Sequence, residues 1–183
     1  MVALKEQDLL AKLQDPGMKA TAFHQLVITY QQMLYFHIRR IVIDHEDTDD
    51  VLQNTLLKAW KYIDQFRAQS SIKTWLYRIA TNEALTFLSK KKKASFQDLN
   101  DIQNDLRHSL SEGKYIDGDE IQLKLQQAIL SLPERQRLVF NMRYYDELKY
   151  DEIADILSVS TGALKASYHH AVRKIEEYLK TQS

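Results

Sequence analysis

The stretch SIKTWLYRIATNEAL, residues 71–85, combines a core-forming pattern with side chains that a core does not need. Its apolar residues recur every three or four positions, so on a helix Ile72, Leu76 and Ala80 share one face with Glu83 and Phe87. Other side chains follow the edges of that face: Trp75, Asn82 and Thr86 with Arg78 beside them on one edge, and Lys73 and Tyr77 on the other. Because burial requires the apolar face alone, the edges indicate a second role for this helix.

The composition extends the helical prediction to the whole chain. Of 183 residues only 4 are glycine and 2 are proline, too few for the turns of a sheet protein, while 44% are hydrophobic. We therefore predict an all-α protein. The lack of cysteine excludes disulfides and Cys-ligated zinc, and the longest uncharged run, residues 20–38, is amphipathic, so no membrane insertion is expected. A cytoplasmic protein without a cofactor or a metal is the simplest expectation.

Charge and periodicity divide the chain into three parts. Residues 1–95 show helical periodicity over 19–41, over about 48–64 and from Ser70 or Ser71 onward, which predicts a bundle of three to four helices. Residues 96–120 are polar and weakly periodic, with 2 basic and 7 acidic side chains over 97–120 (net −5), and predict a flexible acidic linker. Residues 121–183 regain periodicity and predict a second small helical domain.

Local patterns also predict helix ends and core positions. Asp47 or Thr48 is expected to cap the second helix, with Asp49 and Asp50 in its first turn, where the helix dipole favours acids. Farther along, SLPE at 131–134 predicts a helix start in which Ser131 caps and Glu134 completes a capping box. The inward face of the second helix is expected to consist of Val51, Leu52, Thr55, Ala59, Trp60 and Ile63.

The segment YDEIADILSVSTGALKASYHHAVRKIEEYL, residues 150–179, has the spacing of a helix-turn-helix. Ser158 to Ser160 form the predicted turn, and Ser158 lies where such a turn often has glycine. The outer face of the second helix has small and hydrogen-bonding side chains, which suit base edges and phosphates in a major groove: Ser160, Thr161, Ala163, Lys165, Ser167 and His169. An amphipathic helical hairpin that never contacts DNA is the alternative.

The edges of the helix in 71–85 suit single-stranded nucleic acid. Unstacked bases can rest on an aromatic face such as that of Trp75, while cations such as Arg78 and the tract Lys90–Lys93 hold the phosphates. The polar loop FRAQSS, residues 66–71, offers a place for an unpaired base. The alternative is that Trp75 belongs to the core and that the lysines are a solvated helix end.

The outer face of the second predicted helix has a different character. Leu57 is an apolar residue among polar ones there, as in a protein-docking surface: Asp49, Asp50, Gln53, Asn54, Lys58 and Lys61 surround it. A metal site at Asp47, Asp49 and Asp50 is a third possibility, although the spacing of these carboxylates is poor for joint ligation.

These blocks resemble bacterial RNA polymerase sigma factors of the extracytoplasmic-function (ECF) group. HEDTDDVLQNTLLKAWKYIDQFRAQSSIKTWLYRIATNEAL, residues 45–85, resembles the domain that binds core polymerase and opens the promoter. LPERQRLVFNMRYYDELKYDEIADILSVSTGALKASYHHAVRKI, residues 132–175, resembles the domain that reads the upstream promoter element. The resemblance covers nearly the whole chain, in the order and with the short linker of that group.

The resemblance implies roles for three sets of residues. Docking on core polymerase is implied for Asp49, Asp50, Gln53, Asn54, Leu57 and Lys58. Contact with the melted minus-ten element is implied for Phe66, Arg67, Ser70, Ser71, Lys73, Thr74, Trp75, Arg78 and Asn82. Reading of the minus-thirty-five element is implied for Ser160, Thr161, Ala163, Lys165, Ser167, His169 and Arg173. Thr86 and Ser167 depart from the usual family residues, acidic and basic respectively, so the promoter sequence does not follow.

The sequence therefore predicts a promoter-specific transcription initiation factor that is not an enzyme. Its expected partners are core RNA polymerase, duplex and melted promoter DNA and, from the resemblance, an anti-sigma factor. The alternative is a helix-turn-helix regulator that binds duplex DNA as a dimer and gives the aromatic edge near Trp75 no role.

Overall fold

A computed structural model describes residues 2–94 and 120–181, with the side chains of residues 6–93 and 122–181. The regular structure in these ranges is helical, which confirms the predicted all-α class. The chain separates into two compact units, residues 1–87 and 88–183. Apart from Glu120, which begins a helix, the predicted linker at 96–120 lies outside the described residues, and the predicted domain boundaries at 95 and 121 stay predictions.

The N-terminal part consists of four helices and one 3-10 turn. Helix α1 spans Val2–Gln14, α2 Lys19–Val42 and α3 His45–Tyr62; the turn covers Ile63–Gln65, and α4 spans Ile72–Ala94. Helix α2 packs against both α1 and α3. It has its predicted bounds to within one residue, and Leu26 and Leu34 on its apolar stripe are fully buried.

The predicted cap of α3 was wrong by one turn. Asp44 is the N-cap, and its carboxylate accepts a hydrogen bond of 3.0 Å from the Asp47 backbone N–H. The Thr48 side chain is buried instead, and its hydroxyl donates to the Asp44 carbonyl. Asp44 and Asp47 are equally good cap residues in sequence. The fold uses Asp44, which directly follows the C-cap residue of α2. Asp49 and Asp50 therefore lie beyond the first turn, on the exposed outer face.

Helix α4 is held at its start by two hydrogen-bond acceptors. The Ser71 hydroxyl accepts from the Thr74 N–H at 3.0 Å, as expected of a cap. The Glu6 carboxylate of α1 accepts from the Ile72 N–H at 2.6 Å, and its negative charge also suits the positive end of the helix dipole. Glu6 thus fixes α1 to a helix that begins 66 residues later.

Tyr77 lies in the core and not on the predicted outer edge of α4. Its side chain is 1% exposed, and its ring meets the ring of His37 edge-on, with centroids 4.7 Å apart. The Thr81 hydroxyl donates to the Tyr77 carbonyl and lies 2.9 Å from His37 Nε2, so His37 donates to Thr81 through Nε2–H. This polar cluster joins α2 to α4 inside the bundle.

The second unit contains four further helices with described ends. Helix α5 spans Glu120–Leu130, α6 Glu134–Tyr144, α7 Tyr150–Leu157 and α8 Thr161–Thr181. Helix α8 packs against the three others. The core that they share contains Ala128, Ile129, Leu132, Phe140, Ala171 and Ile175.

The predicted capping box at 131–134 is not formed. Pro133 is the N-cap of α6 without a side-chain hydrogen bond, and the Ser131 hydroxyl donates to the Ala128 carbonyl. The Ser131 hydroxyl is therefore bonded to the end of α5 and does not cap α6. Helix α7 does have an acidic residue in the capping role: the Glu152 carboxylate accepts a hydrogen bond of 2.7 Å from the Lys149 N–H.

The helix-turn-helix turn contains a non-glycine residue in the left-handed region. Ser158 has φ 54° and ψ 47° and ends α7, its N–H donating to the Ala154 carbonyl. This conformation costs a residue with a Cβ atom roughly 1 kcal/mol that glycine does not pay. Helix α8 then begins with a cap, since the Ser160 hydroxyl accepts from the Ala163 N–H at 3.3 Å.

Ser158→Gly is therefore expected to raise the free energy of unfolding of the second unit by about 0.5–1 kcal/mol. Urea unfolding followed by the helical signal of the full chain measures the change. Ser158→Ala, which keeps the Cβ atom, is the matched control and is expected to gain nothing. Equal stabilities of the glycine and alanine variants would contradict the strain argument.

Candidate nucleic-acid and protein interfaces

The loop before α4 and the first turn of that helix form an aromatic surface. Trp75 is half-buried, and its ring lies 5.3 Å from that of Phe66, at 51°. Arg67 is exposed on the same loop. Trp75 is therefore neither a core residue nor fully solvated, and Phe66 supports one side of its ring.

Thr74 differs from its neighbours in the predicted single-strand set. Its side chain is only 2% exposed, and its hydroxyl lies 2.9 Å from that of Ser71 in the helix cap. The helical spacing that exposes Trp75 turns Thr74 inward, so we assign it to the cap and remove it from the interface. Lys73 is partly exposed, with Nζ 5.8 Å from the centroid of the Tyr77 ring.

Cations and an amide continue along α4 from this loop. Asn82 is exposed, and Arg78 is partly buried. The Nε atom of Arg78 is buried and has no hydrogen-bond partner among the described residues. Lys91 and Lys93 are exposed near the end of the helix. One helix thus presents an aromatic ring, a guanidinium and an amide outside its buried stripe, as the sequence predicted.

The outer face of α3 is polar around one exposed leucine. Leu57 is 60% exposed, and the predicted docking residues Asp49, Asp50, Gln53 and Asn54 are exposed on the same helix. Lys58 is also exposed but pairs with Glu83 of α4, with Nζ 2.5 Å from a carboxylate oxygen. That ion pair gives Lys58 a role in joining α3 to α4.

Trp60 was wrongly predicted to be buried. It is 40% exposed, and its ring covers Phe23 of α2 with the centroids 5.0 Å apart. Lys19 Nζ lies 4.8 Å from the Trp60 ring centroid and 2.6 Å from an Asp64 carboxylate oxygen. Trp60 therefore closes the edge of the α2–α3 contact, because the core position at this level belongs to Ala59.

One carboxylate of the proposed metal-binding set in α3, that of Asp49, makes a local contact. His45 Nδ1 lies 3.7 Å from a carboxylate oxygen of Asp49 and 2.8 Å from the Tyr35 hydroxyl. In residues 2–94 and 120–181 no group of three or more histidine, aspartate and glutamate side chains is arranged to hold a metal ion.

Two arginines are partly buried, and burial shifts the pKa of each. Burial lowers the pKa of Arg39, against the opposing effects of Tyr35 and Asp44. Burial also lowers the pKa of Arg137, against the opposing effect of Glu134. Arginine is not deprotonated in proteins, so both side chains keep their charge.

The outer face of α8 has the predicted small and polar character. Most of its predicted DNA-reading residues are exposed, and Thr161 and Ser167 are partly so: the set is Ser160, Thr161, Ala163, Lys165, Ser167, His169 and Arg173. Arg173 Nε lies 3.5 Å from a Glu177 carboxylate oxygen, a surface pair worth little energy. The face therefore keeps its hydrogen-bonding groups and its cations at the surface.

Sequence reasoning missed two residues beside this face. Arg143 lies in the last turn of α6 and Tyr150 begins α7, and the Arg143 guanidinium carbon lies 5.4 Å from the Tyr150 ring centroid. Lys165 Nζ of α8 lies 5.8 Å from the same centroid. No periodic pattern joins these positions, because they come from three different helices.

Both parts of the chain match family models. Residues 26–94 match sigma-70 region 2, and residues 122–175 match sigma-70 region 4. Among similar proteins, the ECF RNA polymerase sigma-E factor of Escherichia coli (strain K12) is 32% identical over 181 residues, 94% of this chain and 93% of that protein. This chain belongs to the ECF group of RNA polymerase sigma factors.

Other relatives agree with membership of the ECF sigma group. The sigma-H factor of Pseudomonas aeruginosa is 29% identical over 96% of this chain and 94% of its own length. SigW of Bacillus subtilis, an ECF sigma factor, is 29% identical over 87% of this chain and 89% of its own length. Sigma factors are non-catalytic transcription initiation factors, and this ECF sigma factor acts in transcription initiation.

Solved structures show the same fold. CnrH, crystallised with the cytosolic domain of CnrY, has a TM-score of 0.70 at 21% identity, over 97% of this chain and 99% of that one. The sigma factor RpoE of Bartonella quintana, crystallised with the anti-sigma factor NepR, has a TM-score of 0.68 at 23% identity, over 88% and 98%. In the described parts of this ECF sigma factor, each helix is too short or too polar to cross a lipid bilayer.

Proposed function

We propose that this ECF sigma factor binds core RNA polymerase, reads the minus-ten and minus-thirty-five elements and helps to open the duplex at the minus-ten element. The observation that carries the proposal is the half-buried Trp75, whose ring is supported by Phe66 at the start of a polar loop, with Arg78 on the same helix. A base that leaves the stack gains a stacking contact of about 1–3 kcal/mol on such a ring. Binding energy of this kind offsets the cost of unstacking, so no bond-making chemistry is needed.

The polymerase-docking surface in this proposal is the outer face of α3. Leu57 supplies the apolar centre, and Asp49, Asp50, Gln53 and Asn54 supply a polar rim. An exposed leucine with a polar rim has the composition of a small protein interface. The Lys58–Glu83 ion pair links α3, which carries the docking surface, to α4, which carries the aromatic surface.

Reading of the upstream element is assigned to α8. Its first two turns present hydroxyls, a methyl group and Lys165, a mixture that suits base edges and phosphates in a major groove. The rival function, a dimeric regulator that binds duplex DNA alone, requires an interface between two copies and predicts specific binding without polymerase.

An anti-sigma factor is the further proposed partner. Two structural neighbours, CnrH and the Bartonella RpoE, were crystallised with the cytosolic domain of CnrY and with NepR respectively. By analogy, the exposed polymerase-docking face around Leu57 would be covered in the silent state. The proposed site of action is the cytoplasm, where core polymerase and promoter DNA are found.

Trp75→Ala tests the strand-opening role. With core polymerase, it is expected to reduce transcription from a duplex promoter about 10-fold or more, and from a promoter with a pre-melted minus-ten region by about threefold or less. The pre-melted promoter does not require base capture in order to open. Run-off transcription from both templates measures the ratio.

Trp60→Ala is the matched control, because it removes another partly exposed tryptophan from the same unit. It is expected to change transcription from both templates by the same factor. An equal loss from duplex and pre-melted templates with Trp75→Ala would rule out the strand-opening role.

A further inference from the structure

Tyr150 lies between two cations that come from other helices. Its half-buried ring is 5.4 Å from the Arg143 guanidinium carbon and 5.8 Å from Lys165 Nζ. The edge of the ring meets Tyr168 of α8, with the centroids 6.4 Å apart and the planes at 80°. Tyr150 is thus fixed by α8 and approached by charged groups of α6 and α8.

The two cations have few other anchors. The Arg143 guanidinium donates to the Leu148 carbonyl at 3.2 Å, which leaves most of its N–H groups free. Among the described residues, no carboxylate lies within ion-pair distance of Arg143 or Lys165. Two like charges near one ring would repel each other, and the ring quadrupole offsets that repulsion by attracting both.

We propose that Tyr150 is a positioning residue, which holds Arg143 and Lys165 together as a two-cation clamp for the phosphate backbone of duplex DNA. The inference rests on the proposed function, because it takes the outer face of α8 as the DNA-reading face. A free lysine or arginine side chain loses up to about 2 kcal/mol of rotamer entropy when it is ordered on a ligand. The ring orders both side chains before DNA arrives, so less of that cost falls on binding.

The clamp also explains why the helix-turn-helix of this chain works with few cations on α8. Lys165 and Arg173 are its predicted DNA-facing cations, and Arg173 lies beside Glu177. Arg143 brings in a charge from α6 that helical periodicity of α8 does not reveal. We therefore expect Arg143 to contact phosphate and to contribute to affinity without contributing to base preference.

The test compares Tyr150→Phe, which keeps the ring, with Tyr150→Leu, which removes it. Each full-length variant is assembled with core polymerase and bound to a duplex that the native holoenzyme has selected from a random-sequence pool. We expect Tyr150→Leu to lower affinity about 10-fold and to reduce the slope of log K against log salt by about one. Tyr150→Phe is expected to stay within about twofold of the native chain, because a phenyl face attracts cations too.

Two results separate the failure of this inference from the failure of the proposed function. If Lys165→Ala leaves affinity and the salt slope unchanged, α8 is not the DNA-reading face, and both are overturned. If Lys165→Ala lowers them while Tyr150→Leu does not, the clamp alone is overturned. A loss with Tyr150→Phe equal to that with Tyr150→Leu would assign the effect to the hydroxyl and would also overturn the clamp.

A second measurement covers the case in which Tyr150→Leu lowers the thermal stability of the second unit. Arg143→Ala, Lys165→Ala and the double variant leave the ring in place. Cations held by one ring are expected to be coupled, with the combined loss differing at least threefold from the product of the single losses. Losses that multiply independently would contradict the clamp.

Discussion

Tyr77→Ala is expected to lower the free energy of unfolding of the N-terminal unit by about 3–5 kcal/mol. The side chain is 1% exposed, and its ring contacts that of His37 at 4.7 Å across the α2–α4 junction. Its removal leaves a cavity beside a buried imidazole and a buried hydroxyl, that of Thr81, neither of which can turn to solvent. A loss of this size is a large part of the 5–15 kcal/mol that stabilises an ordinary domain.

Urea unfolding followed by tryptophan fluorescence measures this effect selectively. The chain has 2 tryptophans, Trp60 and Trp75, and both lie in the N-terminal unit. Tyr62→Ala, which truncates a tyrosine that is 39% exposed at the end of α3, is the matched control and is expected to cost less than about 1 kcal/mol. Equal unfolding midpoints for Tyr77→Ala and Tyr62→Ala would contradict the assignment of Tyr77 to the core.

Asp50→Lys/Gln53→Lys is expected to weaken binding to core RNA polymerase by about 100-fold or more, equivalent to about 2.7 kcal/mol. Both side chains are exposed one turn apart on α3, so the fold tolerates the change. The substitution replaces one acid and one amide of the polar rim beside Leu57 with two cations. On a partner surface whose charge complements the native Asp50 carboxylate, the new cations meet like charge, and this repulsion weakens binding.

Co-migration of the full-length protein with core polymerase on gel filtration, over a range of concentrations, measures the loss. Gln7→Lys/Asp8→Lys is the matched control, since it makes the same two replacements at exposed positions of α1. It is expected to bind like the native chain. Undiminished binding by the α3 variant would move the docking surface elsewhere, and equal losses in both variants would reduce the effect to net charge.

Much of the candidate site was predictable because it depends on local periodicity. The exposure of Leu57 follows from its place on the polar side of α3, and that of Lys165 from its place on α8. Trp75 also falls on the predicted edge of α4. Thr74 was placed on the same surface by the family resemblance, and helical spacing contradicts that placement because it turns the side chain inward.

The sequence by itself determined most of the helices, most of their apolar faces and the helix-turn-helix, since each follows from residues that are close along the chain. Only the tertiary structure decided which aromatic residue is buried. Tyr77 lies against His37 of α2 inside the bundle, whereas Trp60 lies against Phe23 at the edge of the α2–α3 contact and is 40% exposed. The tertiary structure also decided that Glu6 caps α4. The contacts of Tyr150 with Arg143 and Lys165 were likewise decided by the tertiary structure alone. The physical reason is that a helical pattern fixes the direction of each side chain, whereas its partner depends on the packing of helices distant in sequence.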